Sequence, residues 1–164
     1  MSERDWFEDW FDSTYYHILY KNRDDAEAKK FIYGLMKQLQ LKPGMKLLDL
    51  ACGKGRHSKT LQELGYDVLG VDLSKKSIAD AQRWTNNNLS FQVHDMRAVI
   101  QGHSFDAIFN LFTSFGYFDS PEDNERMCLS IAKMLEPDGI FVIDFMNARK
   151  VIESLVLKEQ KTIE

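Results

Sequence analysis

The stretch Leu47-Leu48-Asp49-Leu50-Ala51-Cys52-Gly53-Lys54-Gly55-Arg56-His57-Ser58 decides the fold. Its first four residues read as the end of a buried parallel strand. The next five read as a tight turn, with a helix expected to start near Arg56. Gly53 and Gly55 lack a Cβ, so the backbone there can take positive φ and lie close to a ligand. The helix that follows would point free N–H groups back at the turn. That geometry suits the polar part of a nucleotide-like cofactor.

A glycine pair alone is a weak signal, because ordinary strand-to-helix turns also use one. Two later features strengthen it. Val71-Asp72-Leu73 ends a second strand with an acid about 20 residues downstream, the spacing of a ribose-binding carboxylate. His94-Asp95-Met96 ends a third strand with another acid. The third glycine of the dinucleotide fingerprint is replaced by Ser58. This argues against a nicotinamide dehydrogenase and leaves room for a cofactor without a pyrophosphate.

Outward from the turn, the chain alternates strand and helix. Asp24 or Asp25 caps a helix to about Gln40, with Phe31, Ile32, Leu35, Met36 and Leu39 on its core face. Strand one is expected at Lys46–Leu50, followed by a helix to Leu64 that Gly65 ends. Strand two is Val68–Asp72, and Ser74 caps a helix to about Trp84. Strand three is Leu89–His94 and strand four Phe105–Leu111. Ser120-Pro121-Glu122-Asp123 starts a helix with a cap, a proline and acids in its first turn. Strand five is Ile140–Phe145, and a last helix runs from Ala148 to Leu157. Such alternation predicts a parallel α/β sheet.

Residues 45–146 resemble the class I S-adenosylmethionine-dependent methyltransferases. The Leu-Asp-Leu-Ala-Cys-Gly-Lys-Gly run is similar to that family's first motif. Asp72 and Asp95-Met96 fall where its second and third motifs fall, and Leu135-Glu136-Pro137-Asp138-Gly139-Ile140 resembles its turn before strand five. The resemblance implies a Rossmann-like doubly wound sheet of order 3-2-1-4-5 with helices on both faces. It also implies S-adenosylmethionine as cofactor and S-adenosylhomocysteine as product. Asp72 would accept from the ribose hydroxyls, Asp95 would accept from the adenine amino group, and the Met96 N–H would meet a ring nitrogen. Leu73 would pack on the adenine. The ammonium group would meet the backbone carbonyls of Ala51 and of Asn110 or Leu111, with the charge of Asp49 nearby.

The same resemblance bears on the ends of the chain. Residues 1–24 carry Trp6, Phe7, Trp10, Phe11, Tyr15, Tyr16 and Tyr20. They read either as a helix packed on the core or as a lid over the cofactor mouth, with Tyr16 or Tyr20 approaching the methionine end. Residues 25–157 form the core of a single domain, and 158–164 a polar tail. The family's antiparallel strand pair after the last helix is missing, which suggests a piece of a longer protein. The uncovered strand five would then offer open pairing groups.

No catalytic residue is assigned. A base is needed only if the acceptor must lose a proton, and His57, Tyr16 and Tyr20 are the candidates. Cys52 reads as a small packing residue, and His57 and His94 as polar neighbours of the site. No metal site is expected, because no further ligands are spaced to join them. The run Asn110-Leu111-Phe112-Thr113-Ser114 lacks the prolines found in family enzymes that methylate exocyclic amines of nucleobases or glutamine. With the aromatics Phe112, Phe115, Tyr117 and Phe118, it favours a small organic acceptor, the methylated atom being N, O or C.

Composition excludes several classes. The chain has 164 residues, enough for one domain, and a net charge of −4, which gives no general attraction to nucleic acid or anionic membrane. Two unpaired-looking cysteines and the lack of a long apolar run point to a cytoplasmic protein with no membrane partner. The oligomeric state stays open. A nicotinamide-dependent oxidoreductase and a non-catalytic cofactor-binding or partner protein are the competing readings.

Overall fold

A computed structural model describes residues 10–11, 13–19, 25–156 and 158; the side chains of Thr14, Tyr16 and His17 are not among them. Five parallel strands form one sheet in the order β3-β2-β1-β4-β5. They are β1 (Lys46–Leu50), β2 (Asp67–Asp72), β3 (Leu89–Val93), β4 (Phe105–Asn110) and β5 (Leu135–Ile143). The helices are α1 (Thr14–Leu19), α2 (Asp25–Leu39), α3 (Arg56–Glu63), α4 (Lys75–Ala81), α5 (Pro121–Met134) and α6 (Ala148–Glu153), with a 3-10 turn at Gln82–Trp84. The fold class and strand order are those expected from the sequence.

Alternation along β1 splits the core in two. Leu47 joins Ile32 and Met36 of α2, Leu61 of α3 and Ile78 and Ala81 of α4 on one face. Leu48 and Leu50 join Met127, Ile131 and Met134 of α5 on the other. The strands are covered on both sides, so their near-continuous apolar sequence is what burial requires. Ion pairs Arg56–Glu27, Lys59–Asp25 and Lys29–Glu63 fasten α2 to α3 at the edge of the first layer.

Local signals set the helix starts. The Ser74 hydroxyl accepts from the Ser77 N–H, and that of Ser120 accepts from the Asp123 N–H ahead of Pro121. Gly65, at φ 93°, ends the α3 segment.

Three boundaries differ from expectation by two residues or more. β5 begins at Leu135, not Ile140. Phe105 faces Leu135, but Ala107 faces Ile140, so the Pro137-Asp138-Gly139 turn is a bulge within the ladder. β5 also stops at Ile143, where Asp144 turns its N–H back to the Asn110 carbonyl. The last helix ends at Glu153 rather than Leu157, and its Val151 and Ile152 are exposed.

Candidate functional site

The parallel order puts the carboxyl ends of β1, β2, β3 and β4 on one rim, with strand order reversing between β1 and β4. Ligands of open α/β sheets bind at such a switch. Asp49, Asp72, Asp95 and Asn110 all stand at strand ends there.

The turn after β1 is built from unusual backbone. Ala51, Gly53 and Gly55 have φ of 59°, 56° and 79°. The Cys52 N–H donates to the Val71 carbonyl and the Gly55 N–H to the Cys52 carbonyl. The two glycines serve different ends. A Cβ at Gly53 would meet nothing within 4 Å, so the turn is open at that point. A Cβ at Gly55 would stand 2.6 Å from the Phe91 ring, so the core of β3 by itself requires glycine there.

The carboxylates are held in three different ways. Asp49 is 1% exposed and accepts from the Ser58 hydroxyl at 2.6 Å. Burial pushes its pKa up to about 6, against the Ser58 bond, and the charge of Asp72 adds to the rise. Asp72 accepts from the Gly53 N–H and the Ser74 N–H, both at 2.8 Å, so it joins the glycine turn to the start of α4. Asp95 is gripped by Arg97, through Nε at 3.0 Å and Nη2 at 2.7 Å. Burial pushes Asp95 up, but the bonds from Arg97 outweigh it and hold the carboxyl below its usual range.

At the end of β4, Asn110 is fully buried. Its Nδ2 donates to the Leu50 carbonyl at 3.2 Å, and its Oδ1 has no partner among the described residues. The Asn110 carbonyl accepts from the Asp144 N–H, and the Leu111 carbonyl from the Ser114 hydroxyl. Both keep a second lone pair. Leu73 is half-buried, and the Met96 carbonyl accepts from Ser130 of α5.

The loop after β4 is strained. Phe112 and Thr113 lie at φ 64° and 58°, a region that costs a side-chain-bearing residue about 1–2 kcal/mol. Asp144 holds them there: Oδ2 accepts from the Phe112 N–H and its carbonyl from the Thr113 N–H, each at 3.0 Å. The Phe112 ring lies under the Arg56 guanidinium. The four aromatics divide: Phe115 and Phe118 pack on the α5 core, while Tyr117 meets Phe11 edge-on at 5.2 Å.

Several candidates take plainer roles. His57 is 7% exposed and packs beside Phe31; burial, then the Arg56 charge, push its pKa down to about 3. A group so weakly basic makes a poor proton acceptor near neutral pH. Burial pushes the Cys52 thiol well up, which fits a packing role. His94 donates from Nε2 to the Ala98 carbonyl. Tyr20 lies outside the described residues; Tyr16 is in α1 with its side chain undescribed. Arg97 and Asp144 were not singled out by the sequence. The adjacency of Arg97 to Asp95 is a weak signal, and Asp144 carries none.

A family model for the methyltransferase domain matches residues 47–139, more than half of the chain. The chain belongs to the class I S-adenosylmethionine-dependent methyltransferases. That membership places it apart from the nicotinamide-dependent oxidoreductases. Glycine N-methyltransferase of Rattus norvegicus is 33% identical over 139 residues, covering 74% of this chain and 46% of that protein. The dTDP-3-amino-3,4,6-trideoxy-alpha-D-glucopyranose N,N-dimethyltransferase of Streptomyces venezuelae is 33% identical over 98 residues, covering 60% and 41%. The sugar N-methyltransferase KedS8 from Streptoalloteichus sp ATCC 53650 superposes with a TM-score of 0.66 at 29% identity, covering 80% of this chain and 53% of that one. The chain spans about half or less of the length of the curated relatives it matches. The cofactor of this methyltransferase family is S-adenosylmethionine. Among the described residues no helix is long and apolar enough to cross a membrane, and no cluster of side chains could hold a metal ion.

Proposed function

We propose that this chain carries the donor half of an S-adenosylmethionine-dependent methyltransferase acting on a small organic acceptor, with an amine nitrogen as the methylated atom. The observation that carries the donor assignment is Asp72 bound to the Gly53 N–H at the open, Cβ-free point of the turn. The fit is supported by the buried Oδ1 of Asn110, an acceptor awaiting a donor at the switch between β1 and β4.

Asp72 would accept from the ribose hydroxyls, Asp95 from the adenine amino group, and Leu73 and the Met96 N–H would frame the ring. The carbonyls of Ala51, Asn110 and Leu111, with the Asn110 amide oxygen, would receive the ammonium, and Asp49 would supply negative charge beneath it. The bound cofactor brings an activated methyl on sulfur, so the side chains need only align the acceptor and exclude water. The Phe112–Phe118 loop supplies the acceptor wall. The Phe11–Tyr117 contact supports residues 1–24 as the lid, with Tyr16 as its candidate toward the methionine end.

Support for an amine acceptor comes from the names of the relatives, which methylate glycine and amino sugars. Calorimetry with S-adenosylhomocysteine and with a nicotinamide dinucleotide tests the donor reading: heat with the first alone is expected. No heat with S-adenosylhomocysteine would overturn it. Methyl transfer to glycine, sarcosine and amino-sugar nucleotides tests the acceptor class. Cofactor binding without any turnover would favour the non-catalytic reading.

A further inference from the structure

Asp95 is an acid whose charge is already answered. The Arg97 backbone N–H donates to Oδ1 at 2.9 Å, Nε is shared between both oxygens at 3.0 Å, and Nη2 donates to Oδ2 at 2.7 Å. A carboxylate offers about four lone-pair directions. Three N–H donors from one neighbouring residue leave room for roughly one more. The remaining position suits a single neutral N–H, and the paired charge removes any pull toward a cation.

Arg97 is itself fixed from the far face of the sheet. Nη1 donates to Asp123 in the first turn of α5 at 2.9 Å, and the guanidinium lies 4.8 Å from the Phe118 ring centroid. Only 18% of its side chain is exposed. Ser130 also ties the Met96 carbonyl to α5, and the Ile100 N–H reaches the sulfur of Met134. The strand-end loop therefore takes its orientation from α5 through Arg97. A planar fork can lock a carboxylate in two directions at once, which an ammonium cannot.

We infer that Arg97 is a positioning residue that makes Asp95 selective for the amino group of adenine, by filling the other acceptor directions of its carboxylate and fixing its plane against α5. The inference rests on the donor reading above and deepens it.

The test compares S-adenosylhomocysteine with its 6-deamino analogue, in which hydrogen replaces the adenine amino group and the ring nitrogens stay acceptors. Calorimetry measures both on the whole chain, for wild type, Arg97→Lys, Arg97→Ala, Asp95→Ala and the Asp95→Ala/Arg97→Ala pair. Wild type should prefer the adenosyl ligand by roughly tenfold or more, the scale of one hydrogen bond to a charged group. Arg97→Ala should erase most of that preference while leaving affinity for the deamino analogue within about twofold, and it should add nothing in the Asp95→Ala background. Arg97→Lys keeps the charge and loses the fork. It should also lose the preference, so it carries the test if Arg97→Ala does not fold. Equal weakening of both ligands, or a full effect of Arg97→Ala without Asp95, would reduce Arg97 to a structural tie and overturn the inference. A wild type that binds neither ligand sinks the donor reading itself, whereas one that binds both equally sinks only this step.

Discussion

The two halves of the sheet hold their strand-end residues differently. At β1, β2 and β3 the polar side chains are satisfied within a few ångströms by neighbours: Asp49 by Ser58, Asp72 by two backbone N–H groups, Asp95 by Arg97. At β4 and β5 the backbone itself is irregular, with Phe112 and Thr113 at positive φ, a bulge in β5, and Ile143, Phe145 and Met146 substantially exposed. On the proposed donor reading, the first half braces most of the cofactor seat, and Asn110 and Leu111 at the end of β4 complete it. The loop beyond them, from Phe112 on, is the more lightly anchored part, where shape can vary. Such a division matches a common donor and a variable acceptor.

The largest effect that could break this contrast is in the glycine turn. Gly55→Ala should lose about 3 kcal/mol, from positive φ and from collision with Phe91. The melting temperature should then fall by about 10 °C. Gly53→Ala meets open space and should cost only about 1 kcal/mol, yet weaken S-adenosylhomocysteine binding. Equal losses in calorimetric melts would mean that the two glycines share one role.

Asp49 gives the next effect, through pH. Its folded pKa of about 6 lies above the usual carboxylate value, so the native state keeps a proton that the unfolded chain releases. This contribution makes stability fall as pH rises from about 4 to 6, by on the order of 2–3 kcal/mol. His57 acts in the opposite sense. Its folded pKa of about 3 is depressed, so its stability is full above about 6.5 and is lost on acidification toward 3. Urea unfolding between pH 4 and 7 should show the two partly cancelling, and Asp49→Asn should uncover the steeper rise due to His57. An unchanged profile would contradict the buried, charge-averse site. In wild type, S-adenosylhomocysteine affinity should also drop as pH falls through 6, because the ammonium favours ionised Asp49.

Asp72→Ala should weaken S-adenosylhomocysteine roughly 10–100-fold, on the scale of hydrogen bonds to a charged group, and cost about 1–2 kcal/mol of stability for the two N–H groups it holds. The smallest effect belongs to the other half. Asp144→Ala should cost about 1 kcal/mol and leave cofactor affinity within about twofold, while raising the acceptor KM. Asp144→Asn keeps an acceptor for the Phe112 N–H and should restore most of it. A large loss of cofactor affinity in Asp144→Ala would show that the halves are not independent.

How much could be read in advance follows the same line. The turn after β1, the caps at Ser74 and Ser120, and the place of Asp72 at the end of β2 were legible, because each depends on residues close in sequence or on a fixed spacing. The reason for Gly55 was not, since the ring it accommodates belongs to β3. Arg97 was not singled out, because Asp123 and Phe118, which hold it, lie far from it in sequence. His57 read as a polar site neighbour, yet α2 covers it. The start of β5 was misplaced because Pro137-Asp138-Gly139 has the composition of a turn and sits inside a ladder.

Phe91 ties three positions into one choice. Its ring fills the volume that a methyl on either Gly55 or Gly70 would need, at 2.6 Å in both cases. A lineage that shortened residue 91 would remove the ring from both positions, leaving the Ser58 hydroxyl at 2.9 Å as the remaining obstacle at 70 and the left-handed backbone as the remaining cost at 55. Drift at these sites should therefore be coupled: an alanine at 70 needs both a smaller residue at 91 and a shift of Ser58, whereas one at 55 needs the smaller residue at 91 and still bears the cost of the left-handed backbone.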